Sequence, residues 1–507
     1  MNSTPAPSFV QRLFTTTSID VLRDESKRPS QLRKALRARD LIAIGLGSMI
    51  GGGIFTTIGP GVKLAGPAII IAFVLAGLAA FFAALCYAEL GAMVPIAGSA
   101  YTYAYATLGQ VVAWIIGFSL LFEYGISAAP VAQQFSSSLR VLLSSFGLNL
   151  PKWAQGSHFV FHGAWYDASR WDLGASQYDV VGALFVLALS VLLSFGIRET
   201  ATTNNIFVVL KILALVVFVI FGVSLFHAQN LVPFIPLGWG SLAPFSGGNG
   251  NGIIPAAALV FFSYIGFDAA TTTAEECRRP QRDIPVGVMG ALLIGTVIYC
   301  VVAVMLVGIV PWQKVDENAA LAAALAPLHN PFVNWSITIG VLAGTTSVAL
   351  SSLLGQTRIF YVMARDRMLP PVVARINPRT KTPVLMTMIT GVAISILTLI
   401  VPLDVLLDLV NIGTLAAFTI VCAGVLYLRR RRPELNRPFK VPFVPLFPIL
   451  GILFSGFLAI FGLTTLTWER FIISLLLGLI IYFSYGFRYS RPEQLAMIPE
   501  SLEEIKL

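Results

Sequence analysis

Twelve windows of about 20 residues with almost no charge run through this chain, each long enough as a helix to cross a roughly 30 Å hydrocarbon core. They cover residues 40–66, 68–94, 109–144, 179–196, 203–227, 253–277, 285–311, 332–362, 383–401, 404–428, 446–466 and 469–488. Lipid offers no hydrogen bonds, so backbone groups crossing it must be satisfied within the chain, and segments of this length do so as helices. The sequence therefore predicts an all-α integral membrane protein with twelve transmembrane helices. With 56% hydrophobic and 12% charged side chains over 507 residues, a soluble globular domain is excluded.

The net charge of +9 has a topological origin rather than a nucleic-acid partner. With the N-terminus inside and the spans alternating, 27 of the 34 Lys and Arg fall on the cytoplasmic side, six fall outside, and Lys211 lies within a span. The Arg429-Arg430-Arg431-Arg432 run reads as the stop after the tenth span. Both termini are then expected inside a cell (inner) membrane. Residues 1–39 form a basic leader without the apolar core and cleavage site of a signal peptide, and 31–40 have the charge of an amphipathic surface helix. Cys86, Cys277, Cys300 and Cys422 stand in different segments, and His158 and His162 lack a third ligand nearby, so no metal or other cofactor is expected.

Two spans carry interruptions. Gly47-Ser48-Met49-Ile50-Gly51-Gly52-Gly53 breaks the first, and Phe262-Ser263-Tyr264-Ile265-Gly266-Phe267-Asp268 breaks the sixth, five spans later. Broken helices at matching positions of two halves point to an inverted-repeat transporter with its site near the midplane. Repeat one would cover 40–227 and repeat two 253–428. Two extra helices follow within 446–488. The whole of 40–490 then forms one transporter domain, followed by a cytoplasmic tail from 491 to 507. The outer loop near 147–178 carries Trp153, Trp165 and Trp171 and is suited to lying against the interface.

The glycine run does not fit a dinucleotide fingerprint, which needs a preceding strand and a soluble βαβ unit. Gly47 and Gly51 also form a small-xxx-small packing pair, but packing alone explains neither Gly51 to Gly53 nor the second break. Unwinding explains both. The half-helix beginning near Gly53 offers amides to a carboxylate, and open carbonyls on the sixth span offer acceptors to an ammonium group. Together those needs describe an amino acid backbone.

Ionisable residues within spans cost about 2.5–3.5 kcal/mol each on the insertion scale and mark candidate function. Glu123 can bind and release a proton or stand as a protonated structural acid. Lys211 can carry a proton, act as a fixed cation in place of a metal ion, or snorkel to the boundary. Asp268 either caps the following half-helix or touches the ligand. On the eighth span, Thr345-Thr346-Ser347 and Ser351-Ser352 suit close helix packing. If Ser352 faces the pocket, its small side chain leaves room for a long substrate.

The chain resembles the bacterial form of the cationic amino acid transporter family, in the amino acid–polyamine–organocation superfamily. The resemblance rests on Gly47 to Phe55; on Phe81 to Tyr105 with Tyr87-Ala88-Glu89 and Gly98-Ser99-Ala100-Tyr101-Thr102-Tyr103; on Phe261 to Pro285; on Gly355 to Pro370; and on Val410 to Leu415. It implies the 5+5 inverted-repeat fold with broken helices 1 and 6, and proton-driven amino acid uptake without sodium. It further implies substrate contacts at the backbone of Ile50, Gly51, Gly52 and Gly53 and at Phe262, Ser263 and Ile265. Lys211 would lie where relatives hold sodium, bridging spans one, five and eight, and Glu123 matches the span-three acid tied to coupling. Related transporters often carry Thr or Ser where Gly52 stands, so a hydroxyl is missing here.

The expected protein is thus a proton-coupled symporter for L-amino acids, cationic or small neutral, and not an enzyme. Its partners are the substrate, protons and the bilayer, with Asp268 and Ser352 added to the substrate-binding set. An obligate exchanger, an amino acid sensor without flux and, less suited to a midplane site, a channel are the competing readings.

Overall fold

The computed structural model of the protein describes residues 36–93, 99–154, 158–161, 171–195, 198–246, 250–272, 277–317, 319–377 and 382–490, together with 13, 156 and 380. The leader through residue 35 (apart from Leu13), His162, Trp165, Glu275, Glu276 and the tail from 491 lie outside the described residues. So does most of the surface helix expected over 31–40.

The first apolar window folds as α1 (Ala38–Met49) and α2 (Gly52–Ala65), and a 3₁₀ turn at Gly66–Ala68 leads into α3 (Ile69–Met93). After α4 (Ser99–Thr107), α5 (Gln110–Leu121) passes through a π-helical turn at Phe122–Ile126 into α6 (Ser127–Ser145). An antiparallel hairpin of β1 (His158–Phe161) and β2 (Trp171–Gln177) precedes α7 (Val180–Phe195) and α8 (Arg198–Gly222). The second half comprises α9 (Ile253–Val260), α10 (Ala269–Thr272), α11 (Pro280–Ile309), α12 (Ala320–Leu325), α13 (Pro331–Arg365), α14 (Val384–Ile400) and α15 (Leu403–Arg431). It is followed by α16 (Leu446–Gly462) and α17 (Thr465–Ile481).

The protein is thus nearly all helical, and the hairpin is an addition to the all-α expectation. Among the described residues, eight helical runs are long and apolar enough to cross a membrane, one of them joining α2 to α3, while α7, α14 and α16 are shorter apolar helices. The protein is a multi-pass membrane protein.

Burial follows the distribution of apolar side chains. Helix α3 is apolar on all sides except at Glu89 and is buried along most of its length between α9, α11, α15 and α16. Other helices leave one apolar stripe outward, as at Ile389, Val392 and Ile396 on α14 and Val209, Leu213, Val216 and Ile220 on α8. Such stripes are unusual on a soluble monomer and natural against acyl chains. Inside, α1 packs on α11, α2 on α9, α8 and α6 on α13, and α7 on α14.

Candidate functional site

The two interruptions meet at the centre. α1 ends at Met49, where the Ile50 amide still donates to the Leu46 carbonyl at 2.8 Å, and the chain then turns at Gly51 with φ of 137°. Only glycine adopts that angle without strain. A Cβ at Gly51 would also run into the Gly344 carbonyl of α13, and one at Gly53 would run into Ser263. The glycines therefore let the first break approach α13 and the second break at van der Waals distance. Restarting at Gly52, α2 leaves its first amides without intrahelical acceptors, as every helix does.

The second break runs from α9 through a 3₁₀ turn at Phe261–Tyr264 and a turn at residues 265–268 into α10. Side chains from elsewhere hold its freed backbone. Asn411 of α15 donates to the Ala258 carbonyl at 2.8 Å, and the Tyr299 hydroxyl of α11 donates to the Ser263 carbonyl at 2.8 Å. Thr57 of α2 shares a hydrogen bond with the Ser263 hydroxyl at 2.8 Å, tying the two breaks together.

Lys211 of α8 is fully buried, which removes the snorkelling alternative. Its Nζ donates to the Gly47 carbonyl of α1 and, at 3.4 Å, to the Ser347 hydroxyl of α13. Glu123 is also fully buried, in the π turn, with its carboxyl beside Thr414 of α15 and near Asp268. The next residue, Tyr124, donates its hydroxyl to Asp268 Oδ2 at 2.5 Å. A π turn inserts one residue into the helical register and is often found at functional sites.

Between the breaks lies a cavity of about 30 Å³. Ser48 and Gly53 line it from the first break, and Phe262, Ile265, Gly266 and Ala269 from the second. Tyr124 and Ser127 complete it on one side, with Val348, Ser351 and Ser352 of α13 on the other. Of the expected site residues, Gly53, Phe262, Ile265 and Ser352 thus reach the cavity. Ile50, Gly51, Gly52, Ser263 and Asp268 are buried but are not among its lining residues, nor are Glu123, which precedes the lining residue Tyr124, and Lys211, which bonds Gly47 and Ser347. A larger cavity of about 540 Å³ is lined by α6, α12 and the first turns of α13, and a pocket of about 20 Å³ that reaches Phe55 shares Val141, Ala319, Ala322 and Thr338 with it.

Residues 36–483, nearly the whole of the described helical region, match the amino acid permease family model. The chain belongs to the amino acid permease family, within the amino acid–polyamine–organocation superfamily. The permease is a membrane transporter of amino acids and not an enzyme. It is 38% identical to a branched-chain amino acid permease of Bacillus subtilis, over 95% of this chain and 99% of that one. It is 36% identical to a methylthioribose transporter of the same organism, over 94% of this chain and 98% of that one. A vacuolar cationic amino acid transporter of Arabidopsis thaliana is 36% identical over 80% of the permease and 65% of its own length.

Sequence reasoning did not single out Thr57, Tyr124, Tyr299 or Asn411 for the permease's site. Each is a polar residue of ordinary type within an apolar stretch, and no spacing distinguishes it. The available signal for Tyr124 was its place beside Glu123 and opposite Gly355, whose missing Cβ leaves room for the ring.

Proposed function

We propose that the permease is a proton-coupled amino acid symporter working by alternating access, with twelve spans arranged as two inverted five-helix repeats. The packing supports the repeat. Counting α1 with α2 as span one and α9 with α10 as span six, span one packs on span seven (α11), and span six on span two (α3). Likewise span five (α8) packs on span eight (α13), and span ten (α15) on span three (α5 with α6). Moving five spans along the chain turns each contact into its counterpart. Spans eleven and twelve, α16 and α17, stand outside this relation. The bias of basic residues toward alternate loops supports a topology with both termini on the cytoplasmic side of a cell membrane.

In this reading the substrate carboxylate docks on the amides opening α2 and its ammonium on carbonyls of the two breaks. The Ala258, Ser263 and Gly266 carbonyls already have partners, so Ser48 and Ile265 supply the backbone acceptors nearest the cavity. Lys211 supplies a tethered cation between α1, α8 and α13, the role another transporter gives to sodium. The observation that supports proton coupling is the pair of buried acids at Tyr124, with Asp268 accepting its hydroxyl and Glu123 preceding it in the chain, one side chain from the cavity. Coupling requires that the proton bind the inward- and outward-facing states with different affinity. One net charge moving through 100 mV supplies about 2.3 kcal/mol, roughly fiftyfold accumulation.

The test is uptake of labelled alanine, leucine, lysine and arginine into proteoliposomes without internal substrate, under an imposed pH gradient. Net accumulation is expected for the wild type, and Glu123→Gln is expected to lose it. Uptake only after preloading would make the protein an exchanger. Full pH-driven accumulation by Glu123→Gln would move the coupling role to Lys211.

A further inference from the structure

The relatives' names point to different cargoes, whereas the cavity itself has a definite chemistry. None of the described residues lining it carries a charge. Two of its hydroxyls donate within the protein, Ser127 to Ser352 Oγ at 3.0 Å and Ser351 to the Ser347 carbonyl at 3.0 Å. The rest of the wall toward a substrate side chain is mainly apolar, formed by Phe262, Ile265, Ala269 and Val348 with Ser48 at the first break.

Two carboxyl groups lie near, and neither opens onto this surface. Asp268 stands behind Tyr124, whose hydroxyl donates to Oδ2 while its ring forms part of the cavity wall. That ring packs on α13 at Gly355, where a Cβ would come within 2.5 Å of Tyr124 Cδ1. Glu123 lies instead beside Thr414. A lysine or arginine side chain entering the cavity would lose its water without gaining a counter-charge, and burying an unpaired charge costs several kcal/mol. An aliphatic side chain meets matching walls.

We infer that the substrate is an amino acid with an uncharged aliphatic side chain, and that Tyr124 sets this preference by screening Asp268 from the cavity. This rests on the amino acid transport proposed above and deepens it.

The experiment measures thermal shift and competition for uptake on the full-length purified protein with leucine, valine, lysine and arginine. In the wild type, leucine and valine are expected to compete at least about tenfold better than lysine and arginine. Tyr124→Ala, which uncovers Asp268, is expected to raise the lysine-to-leucine ratio about tenfold, and adding Asp268→Asn to abolish that gain. Ser352→Asp, which places a carboxylate in the cavity without touching Tyr124, is expected to shift preference toward lysine in the same way. Lysine equal to leucine in the wild type would overturn the inference while leaving amino acid transport standing. No response to any of the four would overturn both. A folded, leucine-binding Tyr124→Ala with no gain for lysine would remove Tyr124 from its role. If Tyr124→Ala does not fold, Ser352→Asp decides, and an unchanged ratio there would show that the cavity does not hold the side chain.

Discussion

At the scale of single residues, Gly52 shows how a missing side chain can be built into its surroundings. A Cβ at this position would come within 2.5 Å of Val131 Cγ2 and 2.9 Å of Val348 Cγ1. The hydroxyl expected from related transporters is thus replaced by methyl groups from α6 and α13, and restoring it alone would overpack the site. Forced methylenes in a packed interior cost about 1–3 kcal/mol. Gly52→Ser is therefore expected to lower the melting temperature of the purified protein, and Val131→Ala in the same chain to recover part of the loss. Gly52→Ser melting at the wild-type temperature would show that the valines yield freely. The need for glycine was legible from the run Gly51-Gly52-Gly53, because helix packing alone does not call for three adjacent glycines. The valines that fill the space were not, since nothing in Val131 or Val348 separates a wall residue from any other apolar one.

At the scale of elements, the same limit applies to charge. The four arginines after the tenth span read as a topological stop, yet the structure gives them different situations. Arg430, Arg431 and Arg432 are exposed, whereas Arg429 forms a paired contact with Glu89 of α3, Nε to Oε1 at 2.9 Å and Nη2 to Oε2 at 2.6 Å. Arg437 lies 3.4 Å from the same carboxylate, and the Val441 amide donates to it at 2.7 Å. Glu89 is almost wholly buried and joins α3 to the end of α15 and the segment leading to α16. Removing one partner of a buried ion pair costs about 3–5 kcal/mol, because the other charge is left unpaired. Glu89→Ala is expected to destabilise the detergent-purified protein by that order, while Arg430→Ala is expected to change stability by no more than about 0.5 kcal/mol. Equal effects of the two would mean the paired geometry carries no stability. Hydropathy shows which segments enter the membrane, and glycines show where they break. It does not show that position 89 meets position 429, since partners 340 residues apart leave no periodic trace.

At the scale of the whole molecule, α13 connects the features that transport would have to coordinate. Ser347 contacts Lys211, and Val348, Ser351 and Ser352 line the cavity. One turn further, Gly355 supports Tyr124, the neighbour of Glu123. One 35-residue helix thus touches the lysine, the cavity and the ring beside the acid. If it moves as a unit during alternating access, the lysine and the acid bias one conformational equilibrium, and their contributions cannot be independent. Lys211→Met preserves much of the packing volume but leaves the buried Gly47 carbonyl without its donor, a loss of about 1–3 kcal/mol. The decisive measurement is a double-mutant cycle of Lys211→Met and Glu123→Gln, read as binding free energies for leucine on each side of the membrane in oriented proteoliposomes. Distant, uncoupled sites add to within about 0.3–0.5 kcal/mol. A coupling energy above that limit is expected here, because both residues act on the element that carries the cavity. Strict additivity would separate them, assigning Lys211 to holding α1, α8 and α13 together and leaving conformational bias to Glu123 alone.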